Sequence, residues 1–130
     1  MPSITLQRRI RWADADAAGI LYYARMFDYF QEGEAELLRS VGYVHRPETG
    51  MGMPRRHVEA TFHQVLPLDA PFWLRASVGR VGTTSIRYEF HVFADEACQQ
   101  LALEGAITIV VTKDNKPCEI PADLRAKLSD

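Results

Sequence analysis

The chain has 130 residues, of which 47% are hydrophobic and 25% charged, which fits one compact domain spanning residues 1–130 and argues against disorder. Its formal net charge is −2 and no lysine or arginine block occurs, so nucleic acid is a poor candidate partner. No apolar run approaches the ~20 residues of a membrane span and no signal-peptide pattern opens the chain, so we expect a cytoplasmic protein. Two cysteines without redox-motif spacing fit reduced thiols, and the histidines lack zinc-site spacing, so we expect no metal and no cofactor.

The first element in the chain is a predicted strand over Ile4–Trp12, with one buried face. Its apolar residues fall on even positions: Ile4, Leu6, Ile10 and Trp12. A loop of small residues with two carboxylates follows. From about Tyr22 to Val41 apolar residues recur at helical spacing, and Gly42 is a suitable end for that helix. The loop therefore meets the N-terminus of a helix, where backbone N–H groups are free and the charge is partly positive.

Asp14 and Asp16 admit two interpretations. Asp commonly caps a loop or a helix start, which is a purely structural role. A carboxylate beside preorganised N–H donors is also what acyl-transfer chemistry requires, namely a nucleophile or base next to an oxyanion site. The small residues around Asp16 leave room for a ligand, and Gly19 allows backbone conformations that other residues resist. Tyr22 and Tyr23 either pack as aromatic residues or offer a backbone N–H and hydroxyls to a substrate.

The remainder of the chain predicts strands and one short helix. An irregular connection over 43–54 precedes alternating patterns at 57–62, 72–81, 85–94 and 101–112, and a short helix is expected after Pro121. Short turns between the late strands predict a mostly antiparallel sheet, hence an α+β fold. Apolar residues also occur on the second sheet face, at Trp73, Ala106 and Val110, so we expect at least a dimer.

The segment Asp14-Ala-Asp-Ala-Ala-Gly-Ile-Leu-Tyr-Tyr23 resembles the signature loop of the 4-hydroxybenzoyl-CoA thioesterase family of hotdog-fold proteins, and the order of elements resembles that family over nearly the whole chain. The resemblance implies a hotdog fold, with a long central helix wrapped by a curved, mostly antiparallel five-stranded sheet. It also implies a homodimeric or homotetrameric acyl-CoA thioesterase. Carried over by position, Asp16 is the catalytic carboxylate, acting as nucleophile or general base. The backbone N–H of Tyr23 is the oxyanion donor, Gly19 and Tyr22 are substrate contacts, and Asp14 is structural.

The chain departs from the family where basic residues near the start of the fourth strand help hold the CoA phosphates. That stretch here offers hydroxyls instead, on Thr83, Thr84 and Ser85. Positive charge is expected from Arg55, Arg56 or Arg80, unless these arginines are solvated or paired with Glu59 or Asp69. An acyl-carrier-protein thioester is an alternative substrate, and a non-hydrolytic acyl-CoA or acyl-carrier-protein binding protein is an alternative function. A dehydratase of the same fold is disfavoured, because its chemistry usually needs a histidine that this loop lacks.

Overall fold

The computed structural model describes all residues, Met1–Asp130. In chain order its helices and strands are β1 (Ser3–Arg9), α1 (Arg25–Ser40), β2 (Met51–Gly52), β3 (Arg55–Phe62), β4 (Pro71–Val81), β5 (Ser85–Phe93), β6 (Leu101–Val110), β7 (Thr112–Lys113), β8 (Lys116–Pro117) and α2 (Ala122–Ser129). The four predicted late strands and the predicted short helix are all present, and the boundaries of the late strands agree to within two residues.

Five of the strands form the main sheet, in the order β1-β4-β5-β6-β3, and every neighbouring pair is antiparallel. Strands β1 and β3 are the two edges of this sheet. The short strands β2, β7 and β8 form a second, three-stranded sheet, which the sequence pattern did not indicate. The antiparallel five-stranded arrangement predicted from the alternating patterns and short turns is confirmed.

Helix α1 packs across the inner face of the main sheet, against β4, β1 and β5. Gly33 makes this close approach possible, because a Cβ at that position would lie 2.6 Å from Cδ2 of Leu74 and 3.2 Å from Cβ of Ala76. The ring of Phe30 stacks on Phe90 with 4.5 Å between centroids. Glycine costs ~1 kcal/mol in a helix interior, and here that cost is offset by tight helix–sheet packing.

Two predicted boundaries are wrong near the carboxylate loop. Strand β1 ends at Arg9, and Trp12 lies in a 3₁₀ turn with 84% of its surface exposed, so it does not belong to a buried strand face. The chain turns there because the Arg11 N–H donates to the Asp14 carboxylate at 2.9 Å. Helix α1 begins at Arg25 rather than Tyr22, because the Leu21 and Tyr22 N–H groups donate to carbonyls of neighbouring loops.

Trp73, Ala106 and Val110 lie on the outer sheet face, as the alternation predicted, among charged and polar side chains. That face carries an ion-pair network in which Arg87 contacts Glu59 at 2.9 Å and Glu89 at 3.4 Å. Exposed apolar surface also lies on the inner face of edge strand β3, where Val58 and Phe62 are 42% and 43% exposed. Helix α1 does not cover this edge. No helix in the fold combines the length and apolar character needed to cross a membrane.

Candidate active site

The loop around Asp16 is a compact turn stabilised by its own backbone. Oδ1 of Asp16 accepts a hydrogen bond from the Ala18 N–H at 2.8 Å, and its carbonyl accepts one from the Gly19 N–H at 3.0 Å. Gly19 has a φ of +77°, a conformation that glycine adopts without steric cost. Oδ2 of Asp16 accepts no hydrogen bond from the protein, and the residue is exposed. One oxygen therefore holds the turn while the other is free.

The Tyr23 N–H is a free backbone donor immediately before helix α1. The Tyr22 N–H donates to the Asp14 carbonyl at 2.8 Å and the Arg25 N–H donates to the Tyr22 carbonyl at 2.9 Å, whereas the Ala24 N–H, like that of Tyr23, is free. The Tyr23 N–H donates to no acceptor in the protein. Donors at this end of a helix carry partial positive charge, so this group can bind an anionic oxygen.

Asp16 and Tyr23 line one groove of about 350 Å³. Most of its other lining residues are apolar, and they come from the same loop, from the end of β3 and from the chain that follows it: Ile20, Leu21, Phe62, His63, Gln64, Val65 and Leu66. The two segments are joined by the Leu21 N–H, which donates to the Leu66 carbonyl at 2.8 Å. Apolar walls lower the local dielectric constant, which strengthens electrostatic interactions inside the groove.

Asp14 is fully buried and ties the loop to α1. Its carboxylate accepts hydrogen bonds from the Arg11 N–H at 2.9 Å, from Nη2 of Arg25 at 3.2 Å, and from the Tyr29 hydroxyl. Burial acts to raise the pKa of Asp14, but the hydrogen bonds from Tyr29 and Arg11 outweigh it and hold this pKa below its usual value. The geometry agrees with the structural role expected for Asp14.

The residues expected to contact the CoA phosphates lie far from Asp16 within one chain. Strand β3 has its Phe62 end at the groove and its Arg55 end seven residue steps away, about 24 Å at ~3.4 Å per residue. The turn between β4 and β5 lies at the Arg55 end of the sheet, because Ser85 pairs with Val110 and Arg55 pairs with Ile109. This turn and the neighbouring arginines therefore share one end of the sheet.

Arg55 forms an ion pair, but not with Glu59 or Asp69, the partners considered from the sequence. Its Nη1 contacts Oε2 of Glu34 at 2.9 Å, while Glu59 pairs with Arg87 and the Asp69 carbonyl accepts from Arg9. Glu34 is only 5% exposed. Burial raises the pKa of Glu34, and the charge of Arg55 opposes that increase.

Sequence reasoning did not single out Glu34. Its position, four residues from both Phe30 and Leu38 in the apolar stripe of α1, was a usable signal. A second residue was also missed: Nη2 of Arg125 in α2 donates to the carbonyls of Gly82 at 2.6 Å and Thr83 at 3.3 Å. Arg125 thus gives the Thr83–Ser85 turn a positive charge that its own sequence lacks. No sequence pattern indicates a contact between residues so far apart in the chain.

Comparison with known proteins identifies the family. A model of the Thioesterase-like superfamily matches residues 10–128. A curated protein of Aquifex aeolicus (strain VF5) that carries an esterase name is 27% identical over 133 residues, covering 100% of both chains. The chain therefore belongs to the Thioesterase-like superfamily, and it is an enzyme of the thioester hydrolase class.

Solved structures show the same fold. A 4-hydroxybenzoyl-CoA thioesterase in complex with 4-hydroxybenzoyl-CoA superposes with a TM-score of 0.89 at 21% identity, covering 99% of this chain and 100% of that one. A 1,4-dihydroxy-2-naphthoyl-CoA thioesterase from Synechocystis gives a TM-score of 0.89 at 16% identity, covering 98% and 96%. The chain thus shares the hotdog fold of these enzymes, and the family resemblance drawn from residues 14–23 is confirmed.

Proposed function

We propose that this protein hydrolyses an acyl-CoA thioester to a free acid and CoA, with Asp16 as nucleophile or general base and the Tyr23 N–H as oxyanion donor. The observation that carries the proposal is that a carboxylate with one free oxygen and an unpaired backbone donor line the same apolar groove. These are the two groups that acyl transfer to water requires.

The reaction begins when the thioester carbonyl oxygen accepts a hydrogen bond from the Tyr23 N–H. Either Asp16 attacks the carbonyl carbon and forms an anhydride that water then cleaves, or Asp16 removes a proton from the water that attacks. Both routes break the C–S bond, release the CoA thiolate, which takes up a proton, and leave the carboxylic acid product. The apolar walls of the groove limit the access of other water molecules during these steps.

We infer that a second copy of the chain completes the site. Edge strand β3 presents unpaired backbone groups and two large exposed apolar side chains, a combination that favours pairing with another strand. A twofold axis pairs β3 with the β3 of a second copy in antiparallel register. The Arg55 end of one protomer then lies beside the Asp16 groove of its partner. A homodimer is the minimum assembly, and a homotetramer is the larger form expected from the family.

This arrangement assigns the remaining candidate residues. The end of the partner that reaches the groove carries exposed Arg56 and the turn formed by Thr83, Thr84 and Ser85, which we propose bind the CoA phosphates. Gly19 and Tyr22 do not line the groove of a single chain but adjoin its lining residues Ile20 and Tyr23 in sequence, and we propose that they contact the acyl end. The whole chain, residues 1–130, acts as one thioesterase domain. The cytoplasmic location expected from the sequence stays a prediction.

The test is a thiol-release assay on the purified protein, with short, medium, long and aromatic acyl-CoA thioesters and the matching acyl-carrier-protein thioesters. We expect free CoA to appear with at least one acyl-CoA, and light scattering at micromolar concentration to show a dimer or tetramer. Binding of acyl-CoA without any thiol release would support the non-hydrolytic function instead. A monodisperse monomer with full activity would remove the role assigned to the second copy.

A further inference from the structure

The turn between β4 and β5, residues 82–84, is one-sided in its hydrogen bonding: its carbonyls are occupied, whereas two consecutive N–H groups are free. The Thr83 carbonyl accepts from the Ile120 N–H at 3.1 Å, and the Thr84 carbonyl accepts from the Val111 N–H at 2.8 Å. The N–H groups of Thr83 and Thr84 donate to no acceptor in the protein. Successive free N–H groups in a turn form the kind of concave site that binds anions.

Arg125 in α2 provides the second half of this site. Its Nη2 donates to the carbonyls of Gly82 at 2.6 Å and of Thr83 at 3.3 Å, so the guanidinium holds the acceptor side of the turn. The other N–H groups of Arg125 donate to no protein acceptor, and Arg125 forms no ion pair, in contrast to Arg55. No carboxylate of the protein therefore neutralises the charge of Arg125. A positive charge in contact with a turn that has free backbone donors favours an anionic ligand.

A phosphoryl group suits this turn better than a neutral ligand or a single carboxylate. It carries several anionic oxygens, so it can accept hydrogen bonds from two backbone N–H groups and from a guanidinium at once. The hydroxyls of Thr83 and Thr84 belong to the same two residues and add further donors. A neutral ligand would leave the charge of Arg125 without a partner. Arginine and free backbone N–H groups are both common phosphate ligands in proteins.

We propose that Arg125 is a specificity-determining residue that makes the β4–β5 turn bind a phosphoryl group of CoA. The inference rests on the proposed function, which places this turn beside the partner's Asp16 groove. It adds two points to that function: the positive charge at the turn comes from α2, and the backbone N–H groups of Thr83 and Thr84 are the donors. A thioester of pantetheine has no phosphoryl group and gains nothing from Arg125. Arg125 therefore sets a preference for acyl-CoA over acyl-pantetheine.

The test measures binding and turnover separately. Isothermal titration calorimetry gives the Kd of CoA, and initial rates of thiol release give kcat and KM for an acyl-CoA and for the acyl-pantetheine with the same acyl group. We expect Arg125→Ala to raise the Kd of CoA and the KM of acyl-CoA about tenfold or more, as for the loss of a charge-assisted contact with phosphate. The kcat of both substrates and the KM of acyl-pantetheine should stay within about twofold of wild type.

Lys127→Ala is the matched control. Lys127 also lies on α2 and also donates to a backbone carbonyl, that of Gly42 at 3.2 Å, so this variant removes the same charge and a similar contact without touching the turn. It should keep the wild-type Kd of CoA. Titration with 3′-dephospho-CoA identifies the bound phosphate. If its Kd also rises in Arg125→Ala, the turn binds the diphosphate, and if its Kd is unchanged, the turn binds the 3′-phosphate.

The outcomes separate this inference from the proposed function. An unchanged Kd of CoA in Arg125→Ala, or no binding of CoA to the wild type, would overturn the inference and leave hydrolysis intact. Equal increases in KM for acyl-CoA and acyl-pantetheine would also overturn it, because Arg125 would then act on the fold. CoA binding that depends on Arg125, without hydrolysis of any thioester, would refute the proposed function alone. If Arg125→Ala misfolds, Arg125→Gln replaces it, since its amide can still donate to the turn carbonyls while the charge is lost, and the same increase in Kd is expected.

Discussion

The change Asp16→Asn separates chemistry from folding, because the structure gives the two carboxylate oxygens different tasks. An asparagine has the same shape, and its Oδ1 can still accept the Ala18 N–H that now lies 2.8 Å away. Asp16 is exposed, so the stability change should stay within about 0.5 kcal/mol. The amide can neither attack a thioester nor take a proton from water. We expect kcat to fall at least ~10²-fold, which corresponds to ~2.7 kcal/mol of activation free energy.

Asp14→Asn, two residues away, is the matched variant. It should lower the stability of the protein strongly and its activity only slightly. Three donors converge on the buried Asp14 carboxylate, from Arg11, Arg25 and Tyr29, and an amide must direct its NH₂ group at one of them. Losing this charge and leaving a buried donor unpaired should cost roughly 2–4 kcal/mol of unfolding free energy. For a chain of this size that lowers Tm by about 10 °C. Activity should fall only to the extent that a less ordered loop displaces Asp16 and Tyr23.

The pH dependence of stability provides a second readout of Asp14. Since the folded pKa lies below the unfolded value, Asp14 stabilises the protein above the unfolded pKa, about 3.9. That contribution is lost as pH falls through the lower folded pKa. The stability difference between wild type and Asp14→Asn should therefore shrink in acid.

Urea unfolding at several pH values measures the unfolding free energies of both variants, and initial-rate assays of thiol release measure kcat. Near-normal turnover in a well-folded Asp16→Asn protein would refute its assignment as nucleophile or base.

Three further changes test other parts of the structure. Arg56→Ala should raise KM for acyl-CoA several-fold and leave KM for an acyl-pantetheine thioester unchanged; equal effects on both substrates would move the phosphate contact elsewhere. For Glu34 the folded pKa is raised, so its stability contribution is full below the unfolded pKa of about 4.3 and is lost as pH rises through the folded value. Glu34→Gln should therefore gain stability relative to wild type between pH 4 and pH 7, measured by urea unfolding. Gly33→Ala should lower the unfolding free energy by about 1–2 kcal/mol, because overpacking against Leu74 exceeds the gain in helix propensity; a higher Tm would contradict this.

The sequence predicted those parts of the fold that depend on local patterns. Burial alternates along most of β4 and β5 because these strands lie inside the sheet, with one face under α1 and the other toward solvent. In β6 the alternation breaks where adjacent residues are both buried, at Ala102–Leu103 and at Ala106–Ile107. The pattern failed at Trp12, where an apolar residue continued the alternation but the Asp14 carboxylate had already turned the chain. Alternation of apolar residues predicts a strand, but a buried carboxylate that accepts a backbone hydrogen bond can turn the chain and end that strand.

The candidate site likewise has a part that the sequence predicted and a part that it did not. Asp16, Gly19 and Tyr23 were identifiable because they lie in one contiguous segment, so the resemblance of that segment carried them together. The Glu34–Arg55 pair joins residues 21 positions apart, and the Arg125–Gly82 contact joins residues 43 positions apart. Neither contact has a periodic signature. A charged residue inside the apolar stripe of a helix was the one local sign that Glu34 has a buried partner.

The choice between a hydrolase and a passive acyl-CoA binder depends on what the unpaired groups of the loop are for. A binding protein gains nothing from a carboxylate beside the thioester, because a charge near the acyl carbonyl must be desolvated when the ligand enters an apolar groove. That cost is useful only when the carboxylate does more in the transition state than in the bound complex. Asp16 keeps one oxygen free while its other oxygen holds the turn, and the neighbouring Tyr23 N–H is left without an acceptor. In the proposed reaction the Tyr23 N–H binds the carbonyl oxygen more strongly as that oxygen gains charge, and the free oxygen of Asp16 forms its new bond only as the carbonyl carbon turns tetrahedral. That difference between the two states is a property of a catalyst, and it is why substitution of Asp16 should lower kcat while acyl-CoA binding persists.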